Sequence, residues 1–257
     1  MLISALTITR PGALPRLATA FGDFARQTYA TRELVVVHDG DAAFDAAVQL
    51  LAHRAGIVAS VARADPGTPL GELRNRSVAL ARGEWVVQWD DDDRHHPERL
   101  ARQADALALR GASFAFLTEQ LHHFPERGTL YWEDWSAEPY PLDFVQGTIV
   151  ARRERMPAYA PMRRGEDTAL CRAIVKSGET IARVRDAGWS YVYTYHGANV
   201  FAASHHRAIA LAKQLSPARM LAREHVLRAR LADYDPPLPD VAVPCGDGVI
   251  AIQSAGR

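Results

Sequence analysis

The sequence predicts an α/β fold. It should have a mostly parallel central sheet, flanking helices and further helices at its C-terminal end. Three observations carry that expectation. Short apolar runs alternate with amphipathic stretches through the first half of the chain, the pattern of successive βα units. The runs are almost unbroken in hydrophobicity, so both faces of the sheet must be covered. Aspartates sit immediately after the ends of two runs, Asp39 and Asp90–Asp93, where ligands bind in open α/β sheets.

The elements follow in order. Leu2–Thr9 is an apolar strand that stops at Arg10-Pro11-Gly12. Leu14–Gln27 places Leu14, Leu17, Phe21 and Phe24 at helical spacing. Leu34–His38 is a β-branched strand ending at Asp39-Gly40, and Phe44–Ala55 is helical. Ile57–Ala62 is a strand, Leu73–Ala81 a short helix closing before Gly83, and Trp85–Trp89 the next strand. Pro97–Arg110 is a helix with proline near its first turn, followed by a strand over Ser113–Leu121. His122–Leu142 is rich in aromatics, proline and glutamate, and reads as a loop-rich insertion or a hairpin. Val145–Ala151 is a strand, Met156–Gly165 a basic loop and Asp167–Ser177 a helix. Ile181–Val184 and Tyr191–Tyr195 are short strands. Phe201–Leu215 and Ala218–Leu231 are helices split by Pro217, and the proline-rich Asp235–Pro244 reads as an extended arm.

Composition narrows the class. The chain has 257 residues, 48% of them hydrophobic, enough for a sizeable core. Lys plus Arg is 30 and Asp plus Glu is 30, a formal charge of zero, which speaks against a general nucleic-acid binder. Two cysteines, Cys171 and Cys245, cannot make a disulfide framework and fit a reducing compartment. The start, Met1–Gly12, lacks the basic and apolar regions of a signal peptide. No window reaches the roughly 18 apolar residues of a membrane span. The expectation is a cytoplasmic globular protein.

The strongest chemical signal is Asp90-Asp91-Asp92-Asp93, directly after an apolar strand. Carboxylates so close raise one another's pKa unless a cation is present. A hard divalent ion, Mg2+ or Mn2+, bridging to phosphates would resolve the repulsion. The alternative is a solvated acidic turn that caps the next helix. Gly165-Glu166-Asp167-Thr168 opens a helical pattern, so Asp167 is either a general base at the rim of a site or a helix cap. His196-Gly197-Ala198-Asn199 ends a strand, and His196 is either a metal ligand or a turn residue. His205 and His206 are adjacent on a helix, face different ways, and should not chelate together. Asp39 could accept hydrogen bonds from a nucleobase or ribose, or close an Asx turn. Arg74 and Arg76 flank Asn75 and could reach a diphosphate, or face solvent. Nucleophile elbows, Walker loops, His-Glu-x-x-His and Cys-x-x-Cys are all missing.

Several segments recur in a known order: Ser4–Arg10, Gln27-Thr28-Tyr29, Glu33–Asp41, Arg74-Asn75, Ala81-Arg82-Gly83-Glu84, Trp89–Asp93 with Pro97-Glu98-Arg99-Leu100, and Gly165-Glu166-Asp167. Together they resemble the inverting, nucleotide-sugar-dependent glycosyltransferases of family 2, with the GT-A fold. The resemblance runs from about Leu2 to about Asn199. It implies a catalytic domain over 1–200, with a nucleotide-binding half 1–100 and an acceptor-side half 101–200. Residues 201–257 would be a C-terminal helical extension and proline-rich arm.

The resemblance also implies roles. Thr9 and Arg10 would line the nucleotide floor, Asp39 would hold the base, and Arg74 would reach the donor. Asp90 would contact the ribose directly or through the ion, and Asp92 would be the principal ligand of Mn2+ or Mg2+. His196 would be a further ligand of the metal or would contact the diphosphate. Asp91 is grouped with the donor-binding residues, although the family carries a small residue there and its side chain should point away. Asp93 would support the loop or contact the sugar. Glu166 and Asp167 would form the catalytic pair, with Asp167 as the base that deprotonates the acceptor hydroxyl. The implied partners are a nucleotide-diphosphate sugar such as a UDP-sugar and a glycan or lipid-linked acceptor, as in polysaccharide biosynthesis.

Trp132, Trp135, Tyr140 and Phe144 either stack on the acceptor or fill a small lobe. Phe144 is expected in the core, and Trp132 or Trp135 in the cleft. Arg152, Arg153, Arg155, Arg163 and Arg164 read first as a solvated face and second as a dock for an anionic glycan or the inner face of a membrane. The apolar faces of the last helices pack on the domain or form a homodimer contact. Two rival readings are a sugar-phosphate nucleotidyltransferase, which lacks its usual Gly-rich basic loop here, and a catalytically inactive sugar-nucleotide or glycan-binding scaffold.

Overall fold

A computed structural model describes residues 1–139, 143–199 and 201–254. The central sheet has seven strands in the order β10-β6-β9-β4-β1-β2-β3. These are β1 (Ile3–Thr9), β2 (Arg32–His38), β3 (Ala59–Arg63), β4 (Trp85–Gln88), β6 (Phe114–Leu117), β9 (Val150–Arg152) and β10 (Ile181–Val184). Neighbours run parallel except at β9, which is antiparallel to both β4 and β6. The sheet is therefore mixed, with one reversed strand in a parallel frame.

Unbroken apolar strands are explained by two covered faces. Ile3, Ala5, Leu34, Val36 and Val87 share a core with α1 (Leu14–Ala25), α2 (Ala42–Arg54) and α4 (Arg99–Arg110). The alternate residues Leu6, Val35 and Val86 share another with Leu170, Cys171 and Ile174 of α5 (Glu166–Lys176). Leu73 of α3 (Leu70–Leu80) meets Val37 on that side. Cys171 is thus a core residue.

A second sheet of six strands has the order β13-β12-β8-β7-β11-β5. It contains β5 (Arg94–His95), β7 (Glu119–Phe124), β8 (Thr129–Asp134), β11 (Tyr191–Thr194), β12 (Val241–Cys245) and β13 (Gly248–Ile252). Leu121, Leu130, Trp132 and Val192 from this sheet pack with Met220, Leu227 and Leu231 of α7 (Pro217–Leu231). The remaining helix, α6 (Ala203–Lys213), lies against β8.

Four expectations are corrected. The run Ser113–Leu121 is not one strand: the chain leaves the first sheet after β6 and enters the second at β7. Thr118 is the switch, because its N–H donates to Val184 O at 3.0 Å while its carbonyl accepts from Trp135 N at 2.8 Å. Val145–Ala151 is a strand only at its end, since Gln146–Thr148 forms a 3-10 turn before β9. Only the end of the proline-rich arm, from Val241, enters β12, which pairs with β8 and β13 in the second sheet. The ambiguous segment after His122 is a hairpin, β7 with β8. Phe144 is buried as expected, whereas Trp132 is buried in the core and not in a cleft. Trp135 is partly buried beneath the Lys213 ammonium, 4.2 Å from its ring centre. Tyr140 lies outside the described residues. Among the described residues no helix is long and apolar enough to cross a membrane.

Candidate active site

The parallel register of β1 with β2 and β4 brings three strand ends together. Thr9, Asp39 and the acidic run therefore emerge at one edge of the sheet. Trp89 anchors the run: its ring is fully buried and its indole N–H donates to Ala20 O at 3.1 Å.

The four aspartates then diverge into four environments. Asp90 accepts from Arg74 Nη2 at 3.1 Å and from Gln88 Nε2 at 2.6 Å, so each carboxylate oxygen has a donor. Asp91 turns toward Thr9 and Arg16, and burial together with the charges of Asp92 and Asp90 pushes its pKa up to about 7. Thr9 Oγ1, buried beside it, makes no hydrogen bond within ordinary geometry. Asp92 Oδ2 lies 2.9 Å from His196 Nε2. Asp93 is buried and accepts from the Tyr191 hydroxyl and, at 3.0 Å, from Thr194 N. Burial and the charges of Asp92 and Asp90 hold its pKa well above the usual carboxylate range.

Arg74 links this run to α5. It is buried on α3, with Nη2 on Asp90 and Nε 3.2 Å from Glu166 Oε1. Burial alone would lower its pKa, but the charges of Asp90, Tyr159, Glu166 and Asp167 outweigh burial and hold it above the ordinary value. Arg76 is exposed on the opposite side of the helix. Glu166 is buried, and desolvation raises its pKa against the pull of Arg74. Asp167, one residue on, is only half-buried, and its Oδ1 accepts from Thr168 N at 2.7 Å. Gly165 precedes them with φ +76°, a left-handed conformation that glycine adopts without strain and that starts α5.

The loop leading into α5 is held from α3. The Asn75 side chain donates to Tyr159 O at 2.9 Å and accepts from Tyr159 N at 2.8 Å. Gly71 N donates to Met162 O at 3.0 Å, and a Cβ at Gly71 would lie 1.8 Å from Ala160 O. No other residue type fits that approach without moving the loop.

His196 is set by its own turn. Its backbone N–H donates to Asn199 Oδ1 at 2.8 Å, and Asn199 Nδ2 donates to Thr194 O at 3.1 Å. Ala198 N donates to His196 Nδ1 at 3.3 Å, so Nδ1 is the acceptor and Nε2 faces Asp92 with its proton. Asp39 is half-buried and, among the described residues, accepts only a long bond, 3.4 Å, from Gly67 N. Arg10 is exposed beside it.

Residues 12–118 match the family model described as glycosyl transferase family 2. That match spans less than half of the chain, and over it the sequence resembles family 2 glycosyltransferases. The resemblance supports sugar transfer in general terms. No curated protein sequence matches the chain. The S. aureus TarS 1-349 structure in complex with UDP superposes with a TM-score of 0.58 at 14% identity, covering 91% of this chain and 80% of that one. The TarS 1-349 structure with UDP-GlcNAc gives 0.60 at 15% identity, covering 91% and 68%. The mannosyltransferase PcManGT from Pyrobaculum calidifontis, in complex with GDP-Man and Mn2+, gives 0.58 at 15% identity, covering 86% and 64%. At these identities the likeness is one of fold, and that fold is GT-A.

Asp39, Arg74 and Asp90–Asp93 lie within the matched segment, while Glu166, Asp167 and His196 come from beyond it. The structure brings Arg74, Asp90, Glu166 and Asp167 into one charged group, and Asp92 and His196 into another. Among the described residues no three His, Cys, Asp or Glu side chains already form a metal cage. The donor set still fits a hard ion that takes further oxygens from a diphosphate and water: one carboxylate and one imidazole, with no Arg or Lys salt-bridged to Asp92 among the described residues.

Sequence reasoning missed Gln88, Tyr191, Thr194 and Arg99. Arg99 is fully buried beneath the run, stacked on Trp89 and Tyr191 at 5.4 and 4.9 Å. Its Nη2 donates to Gln88 O at 3.3 Å. The visible signal was an arginine at an apolar-periodic helix position.

Proposed function

We propose that this protein transfers a sugar from a nucleoside-diphosphate sugar to an acceptor hydroxyl, inverting the anomeric centre, with Asp167 as general base. The observation that carries the reading is the division of the carboxylates. Asp167 is half-buried with no cationic salt-bridge partner among the described residues, while Asp90 and Glu166 are held by Arg74. A base must be reachable by the acceptor and not already neutralised by a cation.

Asp92 and His196 would hold a divalent ion, Mn2+ or Mg2+, which when bound neutralises charge on the leaving diphosphate. Asp90 supports this arrangement from outside, since its oxygens already accept from Arg74 and Gln88. Arg74 contributes positive charge toward the donor, and Glu166 is its positioning residue. Asp39, at the end of β2, accepts from the base of the nucleotide, beside Thr9 and Arg10. In the transfer step the bond from the anomeric carbon to the diphosphate oxygen breaks. The acceptor oxygen forms the new bond from the opposite face, and its proton passes to the Asp167 carboxylate. A single displacement of this kind inverts the centre and needs no glycosyl-enzyme intermediate, unlike the route through two close carboxylates.

The chain is proposed to act on a glycan or lipid-linked acceptor, in the cytoplasm or at the inner face of a membrane. Turnover of UDP-, GDP-, dTDP- and CMP-sugars, with and without Mn2+, tests the donor class. The expected result is metal-dependent consumption of one donor, with inverted product configuration by NMR. Retention of configuration would overturn the base assignment.

A further inference from the structure

The turn Gln146–Thr148 reaches the site from a third direction. Gly147 is where it comes closest: a Cβ there would lie 3.5 Å from Gln88 Nε2, 3.5 Å from the Tyr191 hydroxyl and 3.8 Å from Asp90 Oδ2. The backbone at 147 therefore rests directly against the acidic run. Its neighbour Gln146 is half-buried and points to the other side of the site, where the Thr168 hydroxyl donates to Gln146 Oε1 at 2.7 Å.

That contact orients the amide. A threonine hydroxyl has one proton, and the 2.7 Å acceptor takes it in preference to Asp167 Oδ1 at 3.5 Å. Asp167 Oδ1 is supplied by Thr168 N instead. The Gln146 carbonyl oxygen is thus directed at Thr168, and its NH2 group is turned away. Neither N–H of that group donates to another of the described residues. Gln146 consequently carries two donors with no partner among the described residues, on a turn that touches Asp90 through Gly147, and touches Thr168, next to Asp167, through its own side chain.

We propose that Gln146 is a specificity-determining residue that donates a hydrogen bond to an oxygen of the sugar being transferred. This rests on the sugar-transfer reading above. The region between the acidic run and the base is where the reacting sugar must lie for in-line attack. Two oriented N–H groups there recognise a hydroxyl or an acyl oxygen and leave the nucleotide untouched. Thr168 acts as the positioning residue: its hydroxyl decides which end of the amide faces the sugar.

The test compares the full-length wild type with Gln146→Glu, Gln146→Ala and Thr168→Val. Each is measured for kcat/KM over a panel of nucleotide sugars differing at single hydroxyl or acyl positions, and for Kd toward the free nucleoside diphosphate. Loss of one neutral hydrogen bond predicts a drop of about tenfold in kcat/KM for the preferred donor in Gln146→Ala. Gln146→Glu cannot donate and should fall further. Thr168→Val should flatten the preference among sugars while keeping part of the rate. The Kd for the nucleoside diphosphate should stay within about twofold in all three. A wild-type sugar preference carried unchanged into Gln146→Ala overturns the inference alone. So does a parallel loss of nucleoside diphosphate affinity, since that marks a structural role. If the wild type consumes no nucleotide sugar but binds the diphosphate, the sugar-transfer reading falls and the inference falls with it. The panel separates the two sources of the oxygen: removal of the acyl group or of one hydroxyl from the donor should abolish the difference between wild type and Gln146→Ala.

Discussion

Arg74 Nε lies 3.2 Å from Glu166 Oε1, and this contact ties the helix before the acidic run to the helix that carries Asp167. The same guanidinium holds Asp90. Lysine offers a point charge and cannot span two carboxylates in a fork. Arg74→Lys should keep the fold and lower kcat/KM by about tenfold or more. Arg74→Ala should also cost about 3 kcal/mol of stability, because it strands two carboxylates in a buried setting. Thermal melts beside initial rates check both. An Arg74→Ala melt equal to wild type would refute the coupling.

The Asp92–His196 pair predicts metal dependence from two separate segments. Asp92→Asn should remove the effect of Mn2+ on nucleoside diphosphate binding, measured by calorimetry. His196→Ala should weaken the Mn2+ effect by about tenfold, with the fold intact by circular dichroism. Equal Mn2+ enhancement in both variants and wild type would exclude the pair.

Asp167→Asn should bind donor as the wild type does and lose about 10²–10⁴ in turnover, the usual contribution of a general base. Single-turnover assays with saturating donor measure this without interference from binding. Near-normal turnover would reassign the base.

Acidification should loosen the second sheet through two buried imidazoles. Burial, and then the charges of His122 and His205, pulls the His206 pKa down from 6.5 to about 4. Burial, then Arg94 and His122, pulls His123 down to about 4. Below pH 6.5 the unfolded chain takes up protons that the folded imidazoles refuse. Stability is therefore full above about pH 6.5 and falls progressively as the pH drops toward about 4. Urea midpoints between pH 7 and 4 should show this decline. His206→Phe, which keeps a ring against Tyr193, should reduce it.

The βα frame was legible because its signals are local. Alternation of apolar runs with helical spacing fixes β1, β2, β4 and the helices between them. The break at Thr118 was hidden inside a continuous apolar run, because its cause is a pair of hydrogen bonds to Val184 and Trp135. The strand at the end of the arm was hidden because proline density masks a segment that pairs with β8 and β13. The acidic run was conspicuous, yet its division of labour was not. Asp92 is turned by a histidine 104 residues later and Asp93 by a tyrosine 98 residues later. Likewise Glu166 could be read as a carboxylate at the right place, but its arginine lies 92 residues earlier.

The close approach at Gly71 carries a similar lesson for engineering. Gly71→Ala should displace the loop over Ala160 and Met162, costing about 1–3 kcal/mol and lowering turnover together. Limited proteolysis of that loop and a melt would register the change, and a crystal structure with the loop in place would contradict it.

The burial of Asp93 against Tyr191 and Thr194 has consequences for anyone diversifying this enzyme. Those partners belong to β11 in the second sheet, so the fourth aspartate is a rivet between two layers, while its three neighbours are only partly buried. A library that randomises all four codons alike would lose most members to failed assembly before any chemistry was screened. Holding codon 93 constant and varying 90 to 92 would confine the search to catalysis, and inactive clones from it could then be read as lessons about donors.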